Sequence, residues 1–487
     1  MKCFLAGFQP EAGFQQKAQR SALRGHALVA AAHHVDTPPC RECRACRHVL
    51  TWSPLAHGVR GAAARQYGLG VSLQALVIGG GPAGLMAAET LAVNGHEVVV
   101  VDRMRTPGRK FILAGRGGLN VTHSESLELL LTRYTPDHDR VRTAVQAHPP
   151  STLRAWVAGL GEDTFVGTSG RVFPESFNAT PLLRAWLDRL IRMGVVFEKE
   201  LTWRGFDEIE GRITHRFERS RTKEEVTKSP ASTVFALGGA TWPGTGSDGT
   251  WVEEFRRHNV HVAALVASNC GFRVEWSDVF RQKHAGMPLK NVALTVSGLR
   301  RKGELLITET GIEGGLAYAS GHDIRVVLRA GDGADVEIDL RADVSVKSLV
   351  QSLSAPRGSQ STSTWLHKRA HLSGAAIGLL RESTDVLPAE PGDLARLIKA
   401  VPLHIDGPTG LARAISTAGG IDLDETTEQL MLRKCPGVFV AGEMLDWDAP
   451  TGGYLLQASW STGIVAGVGA SDWLTARSHD AELTASS

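Results

Sequence analysis

Three glycines and one aspartate carry the clearest chemistry in this chain. Gly79, Gly81 and Gly84 stand in G-x-G-x-x-G spacing, and Asp102 follows Gly84 by 18 residues. That pattern suits the diphosphate of a dinucleotide. Gly79 permits the tight turn, Gly81 presents no Cβ to a pyrophosphate, and Gly84 lets a helix lie close to its strand. Pro82 and Ala83, inside the motif, are counted with these contacts, and the N-terminus of the helix that follows offers free amides and partial positive charge to the anion. A carboxylate at Asp102 can accept hydrogen bonds from both hydroxyls of an adenosine ribose, and it repels a 2′-phosphate. Asp102 is therefore expected to face the ligand, so that its loss would weaken binding far more than the fold. Arg103, beside it, is counted with the same contacts. The spacing alone does not choose between FAD and NAD.

The elements that must hold these residues are legible around them. Leu76-Val77-Ile78 is an apolar run suited to a strand buried on both faces. A helix is expected over about Ala83–Asn94, ended by Gly95, and a second strand over Val98–Val101 closes on Asp102. Strand, glycines, helix, strand and acid thus occur in register within about thirty residues, as a dinucleotide-binding unit requires. Next come Arg109 and Lys110, basic residues able to reach diphosphate oxygens, and the stretch Gly115 to His123. There Gly117 and its neighbours allow backbone to approach a flat ring.

Length and charge narrow the function classes. The chain has 487 residues, enough for two or three domains, and 43% hydrophobic with 21% charged residues is the composition of a globular protein. Net charge is +2, but residues 1–70 hold nine Lys/Arg against three Asp/Glu, which leaves −4 on the rest. The body has no basic excess, and nucleic acid is not expected as its partner. No run approaches the ~18 apolar residues of a membrane span, and the start lacks a signal-peptide core, so a cytoplasmic location is expected. Cys3, Cys40, Cys43 and Cys46 all precede residue 70, and the body keeps only Cys270 and Cys435. Cys40, Cys43, Cys46 and His48 could supply four zinc ligands, but three at two-residue spacing without a second cluster make poor tetrahedral geometry. No metal is expected, and 1–70 reads as a disordered extension. The natural start is expected near Val71.

Further along, residues 125–165 read as helical, and Pro181–Met193 as an amphipathic helix with Leu182, Leu183, Trp186, Leu187 and Leu190 inward. Short alternating runs between Glu200 and Lys228, punctuated by Gly205 and Gly211, suggest an antiparallel meander. Thr233–Leu237 is a buried strand ending in Gly238. The second glycine match, Gly244, Gly246 and Gly249, sits beyond Pro243 and reads as a loop near the first cofactor. From Ala267 to Leu340 short β-rich runs, among them Ile324–Leu328, suggest a small barrel. Residues 343–400 read as helical, with a Ser/Thr patch at Ser359–Thr364, and Val401–Ile405 as a returning strand. Gly437–Glu443 reads as a last strand, followed by Asp446, which can bind a polyol hydroxyl, and by Gly452-Gly453-Tyr454. A helix opening there can aim its N-terminus at a ring carrying negative charge. Gly238 and Gly442 are counted among the cofactor contacts.

The stretches GGGPAG, GRKFILAGRGGLNVTH, GRVFPES, ALGGATWPGTGSDG, GELLITETG and VFVAGEMLDWDAPTGGYLLQASWSTG occur in this order. Together they resemble the bacterial FAD-binding oxidoreductases grouped with aminoacetone oxidases and bile-acid 3-dehydro reductases, over about residues 73–475. The resemblance implies an α/β fold with a glutathione-reductase-like Rossmann FAD domain built from both ends of the chain. The expected parts are 71–266 and 408–475 for that domain, 267–342 for the barrel, 343–400 for a helical insert, 401–407 for a return strand and 476–487 for a tail. It also implies that Gly79, Gly81 and Gly84 hold the FAD pyrophosphate and Asp102 the adenosine ribose. Arg109, Lys110, Gly117, Asn120, Asp446, Gly452, Gly453 and Tyr454 would surround the ribityl chain and flavin. Many relatives carry Arg-Cys directly before the Asn, where this chain has Gly118-Leu119, which weakens any transfer of substrate.

The expected activity is hydride transfer between a small organic substrate and non-covalently held FAD, with NAD(P)H or oxygen as the other partner. His123, His284, Tyr318 and Tyr454 are acid–base candidates by type, and each has a structural reading too. Two other classes stand beside this one: a flavin-dependent RNA-modifying enzyme, disfavoured by the −4 body, and a flavin-binding sensor without turnover. The lack of a C-x-x-C pair in the body argues against a dithiol reductase.

Overall fold

The computed structural model describes residues 74–115, 118–209 and 211–485, the side chains of 480–485 excepted. The expectations for 1–70, including Cys40, Cys43, Cys46 and His48, and for Gly117 lie outside the described residues. Ala75–Ile78 is buried at every position, as an apolar run with no polar alternation requires. It occupies the centre of a five-stranded parallel sheet. The spatial order is Val438–Val440, Ser232–Phe235, Ala75–Ile78, Val98–Asp102 and Val196–Lys199. Strands from near both ends of the body thus belong to one Rossmann-like sheet.

Pro82–Val93 follows the glycine turn with its proline in the first helical turn, and Gly95 beyond it takes φ +87°. The helix Tyr454–Ala485 packs along it, and two glycines make this close approach possible. A Cβ on Gly463 would lie 2.4 Å from the Ala83 carbonyl oxygen, and one on Gly467 2.7 Å from Thr90 Cβ. This last helix runs to Ala485, through the start of the tail expected from 476; no Gly or Pro interrupts Ala470–Ala485.

The expected helical stretch resolves into Leu127–Leu131, Asp139–Ala147 and Pro150–Ala158, and Ala179–Arg192 buries Leu182, Leu183, Trp186 and Leu190. Glu89, 3% exposed on the glycine-loop helix, ties two of these helices down. Its carboxylate accepts from Trp156 Nε1 at 3.3 Å, Trp186 Nε1 at 2.7 Å and Arg189 at 2.9 Å. Leu201–Ile209, Arg212–Arg219 and Glu225–Lys228 form the antiparallel meander, with its register shift at Gly205.

A second hydrophobic core lies between two short strands, Val266–Ser268 and Ser416–Ala418, which pair antiparallel. Its centre is a seven-stranded sheet built from antiparallel pairs. The two strands at its ends, Val401–Ile405 and Gly407–Pro408, are separated in the chain by Asp406 alone. Three helices beside it start on serine caps: Ser345, Ser361 and Ser373 each accept the amide three residues on. The Ser/Thr patch is therefore partly a helix start. One expectation fails here. Ile324–Leu328 lies inside the helix Gly321–Ala330, not in a strand. Its β-branched residues read as β, but Gly321, Ile324 and Arg325 of that helix are buried at helical spacing, and tertiary burial overrides the local preference.

Candidate functional site

The C-terminal ends of Ala75–Ile78, Ser232–Phe235 and Val438–Val440 open on a cleft of about 1000 Å³, part of it exposed to solvent. The central strand has neighbours reached by crossovers on both sides, and open α/β sheets bind ligands at such a switch point. Each motif glycine is placed differently. A Cβ on Gly79, at φ +108°, would lie 2.2 Å from the Ala236 carbonyl oxygen, and one on Gly84 1.9 Å from that of Gly79. A Cβ on Gly81 would meet no protein atom within 4 Å. Gly79 and Gly84 are glycine for the fold, whereas Gly81 faces the open cleft together with Pro82 and Ala83.

Asp102 corrects an expectation. It is not a free acid awaiting a ligand: Oδ2 accepts the Gly80 amide at 2.8 Å and Oδ1 the Met104 amide at 2.7 Å. Burial raises its carboxyl above the usual range, and the two amides oppose that. The side chain lines the cleft and also closes two turns of backbone. Arg103 turns to the second glycine loop, where it pairs with Asp248 and donates to the Pro243 carbonyl at 2.9 Å. That loop carries Thr245, Gly246, Ser247 and Asp248 into the same cleft, so the second glycine match frames the first. The Ser247 Oγ is buried and has no hydrogen-bond partner in the chain. It lies 3.1 Å from where a Cβ on Gly238 would stand.

Lys110 lies across the cleft, donating to Thr241 Oγ1 at 2.8 Å and to Glu443 Oε2 at 2.7 Å. Arg109 is exposed at the rim. Glu443 also accepts the amides of Thr417 at 2.9 Å and Gly239 at 3.3 Å. Sequence reasoning passes over Glu443 and Ser247 and chooses Asp446. The strand stops at Val440, and the 3₁₀ turn Gly442–Met444 points Glu443 into the cleft. Asp446 instead donates its amide to Ile421 and takes the Gly419 amide on its carboxyl, which burial raises. It is not among the cleft-lining residues. No local signal in the sequence separates the two acids; which of them turns toward the cleft is decided by the fold.

Gly442, at φ +75°, would bring a Cβ to 2.7 Å from Ala83 Cβ, so it marks where the last strand meets the first helix. Gly452, Gly453 and Tyr454 form a second group outside the cleft lining. A Cβ on Gly453 would lie 2.5 Å from the Thr122 carbonyl oxygen, and one on Gly452 3.6 Å from Arg171 Nε. Asn120 is half-buried, two residues before Thr122.

None of the acid–base candidates lines the cleft. Tyr454, 5% exposed, stacks on His123 at 5.2 Å. Its hydroxyl is hydrogen-bonded with Glu125 and Arg133, and burial raises it. His123 Nδ1 accepts the Glu125 amide at 3.2 Å, and Nε2 reaches the Ser169 carbonyl at 3.1 Å. Burial raises the Tyr318 hydroxyl, which lies by the Gly314 amide, and lowers His284. Cys270 and Cys435 are buried thiols pushed up to about 11, far from thiolate reactivity at neutral pH. Among the described residues no cluster of His, Cys, Asp or Glu could hold a metal ion, and no helix is long and apolar enough to cross a membrane.

A family model described as the HI0933-like protein Rossmann domain matches residues 73–469. The 3-dehydro-bile acid delta(4,6)-reductase of Clostridium scindens is 23% identical over 422 residues, covering 81% of this chain and 98% of that protein. The ribosomal RNA dihydrouridine synthase of Escherichia coli is 23% identical over 399 residues, covering 80% and 95%. A solved structure of 3-ketosteroid delta1-dehydrogenase from Sterolibacterium denitrificans aligns with a TM-score of 0.45 and 11% identity, covering 82% of this chain and 99% of that one. The chain belongs to the HI0933-like Rossmann-domain family of FAD-dependent oxidoreductases.

Proposed function

We propose that this protein holds FAD without a covalent bond and passes hydride between it and a small organic substrate, with NAD(P)H or oxygen as the second redox partner. The observation that carries this reading is Gly81. Its missing Cβ leaves the helix N-terminus of Pro82–Val93 open to the cleft, as a diphosphate needs. Other residues fit the same group. Asp102 uses one lone pair of each oxygen on backbone amides, and the pairs that remain can take ribose hydroxyls. The buried Ser247 hydroxyl lacks a partner that a ligand in this cleft would supply. Arg109 and Lys110 stand where diphosphate charge would be held, Lys110 by exchanging its contact with Glu443. Glu443 takes the polyol role first assigned to Asp446.

Bound FAD would supply the redox-active ring. Gly452, Gly453 and the start of Tyr454–Ala485 would face that ring, and Asn120 would flank it. A helix N-terminus there favours a developing negative charge by up to ~2 kcal/mol. In this reading the seven-stranded sheet is a small barrel closed through Val401–Pro408, and with the helices of 343–400 it walls the substrate side.

The likeness to a ribosomal RNA dihydrouridine synthase favours a second reading, RNA uridine reduction. Against it stands the −4 charge of the body. One experiment separates these readings. The purified protein is made anaerobic, reduced with NADH or NADPH while flavin bleaching is followed, and then offered oxygen, an enone or a uridine-rich RNA. Bleaching followed by reoxidation with oxygen or the enone supports the first reading. Reoxidation by RNA alone supports the second, and a colourless protein that cannot take up FAD overturns both.

A further inference from the structure

Arg325 and Asp448 are each 7% exposed, and their side chains form an ion pair between the two hydrophobic cores. Arg325 belongs to the helix Gly321–Ala330, whose Ile324 lies in the second core; Trp447 and Ala449 beside Asp448 lie in the first. Asp448 is held from four directions. Its carboxylate oxygens each take the Ser268 hydroxyl at 2.7 Å, and Oδ1 also accepts the Ala449 amide at 2.9 Å. Its backbone exchanges hydrogen bonds with Thr135 at 2.9 and 2.6 Å. Arg325 Nη1 is buried without a partner.

Burying two charges is costly, and a guanidinium nitrogen left unpartnered recovers less than it could. Two apolar side chains would hold these cores together at least as well. What the ion pair adds is direction. Asp448 lies in the segment between Glu443, on the cleft, and Gly452-Gly453, which take φ +130° and +102°, Gly453 against Thr122. That segment ends at Tyr454, where the long helix begins.

We infer that Arg325 is a positioning residue, which through Asp448 fixes the loop leading into Tyr454 and so sets the reduction potential of a flavin held at that helix end. The inference rests on the FAD reading above. Its test uses the FAD-loaded full chain and four variants: Arg325→Lys, Arg325→Met, Asp448→Asn, and the charge-neutral pair Arg325→Met with Asp448→Asn. For each, the flavin midpoint potential, the visible spectrum and thermal unfolding are measured. Arg325→Met is expected to weaken binding of reduced relative to oxidised flavin by about tenfold or more, a drop of about 30 mV for a two-electron couple. The charge-neutral pair is expected to recover thermal stability but not the parent potential, and Arg325→Lys to recover most of both. Should Arg325→Met fail to fold, the charge-neutral pair carries the comparison. Parent potential and spectrum in that double variant would reduce Arg325 to a packing strut and overturn the inference alone. A parent chain that binds no FAD would overturn the functional reading, and this one with it.

Discussion

Asp102 Oδ2 accepts the backbone amide of Gly80 at 2.8 Å, which fastens the end of the second strand to the glycine turn 22 residues earlier. The same carboxylate takes the Met104 amide through its other oxygen. Asp102→Ala therefore removes the acceptor of two inward amides before any ligand is considered. Hydrogen bonds to a charged group contribute about 1.5–3 kcal/mol each, so with two of them the flavin-free chain should lose about 3–6 kcal/mol. Asp102→Asn keeps one accepting oxygen and should recover roughly half. Urea unfolding of the apoprotein measures this, and an unchanged Ala variant would show that the two amides find other partners.

Gly81 and Gly84 separate binding from folding within one motif. Gly81→Ala meets no protein atom within 4 Å, and its φ of −79° suits any residue. Apoprotein stability should stay within about 0.5 kcal/mol of the parent, while FAD affinity falls tenfold or more as the methyl fills the diphosphate's place. Gly84→Ala gains up to about 1 kcal/mol of helix propensity but drives Cβ to 1.9 Å from the Gly79 carbonyl oxygen. Net destabilisation of about 1–3 kcal/mol is expected. Flavin titration beside thermal unfolding reads both, and a Gly81→Ala chain that binds FAD as tightly as the parent would move the diphosphate elsewhere.

Much of this architecture was legible because its signals are local. Leu76–Ile78 and Val98–Val101 are uninterrupted apolar runs, and the glycines between them have few other uses. The second glycine loop was also placed correctly beside the first, since Pro243 breaks its link to the preceding strand. What escaped depends on long-range contact. Glu443 was passed over because only the fold shows which of two acids after a strand turns toward the cleft. Nothing local marks Glu89, whose two indole partners lie 67 and 97 residues away. Ile324–Leu328 was read as a strand from residue types that favour strands, although its buried neighbours follow a helical period.

Glu89 leads to a stability prediction free of the cofactor. Its carboxylate is the common acceptor for Trp156, Trp186 and Arg189 in the first core. Removing one partner of a buried pair costs about 3–5 kcal/mol. Glu89→Ala should therefore unfold in much less urea, and Glu89→Gln, which keeps a single accepting oxygen, should fall between it and the parent. Matching midpoints for parent and Ala variants would mean that the helices Pro150–Ala158 and Ala179–Arg192 are held by their apolar faces alone.

His215 sets an acid limit on the fold. It is fully buried, with Nε2 at 2.7 Å from Thr233 Oγ1 and Nδ1 accepting Trp203 Nε1 at 3.4 Å. Trp203 can only donate, so Nδ1 is unprotonated and Nε2–H donates to Thr233; the ring is neutral. Burial lowers its pKa from 6.5 to about 3. The unfolded chain therefore takes up the proton first as pH falls. His215's contribution is complete above about pH 6.5 and is lost progressively between there and about 3, by up to about 1.4 kcal/mol per pH unit. His148, lowered by burial to about 4, adds to the same loss over a narrower range. His215→Gln keeps a donor and an acceptor but does not titrate. Its urea midpoint should therefore fall less steeply than the parent's between about pH 6 and 4, with His148 and the carboxylates common to both. Parallel curves for the two proteins would show that His215 is already protonated in the folded state, against the neutral ring this packing requires.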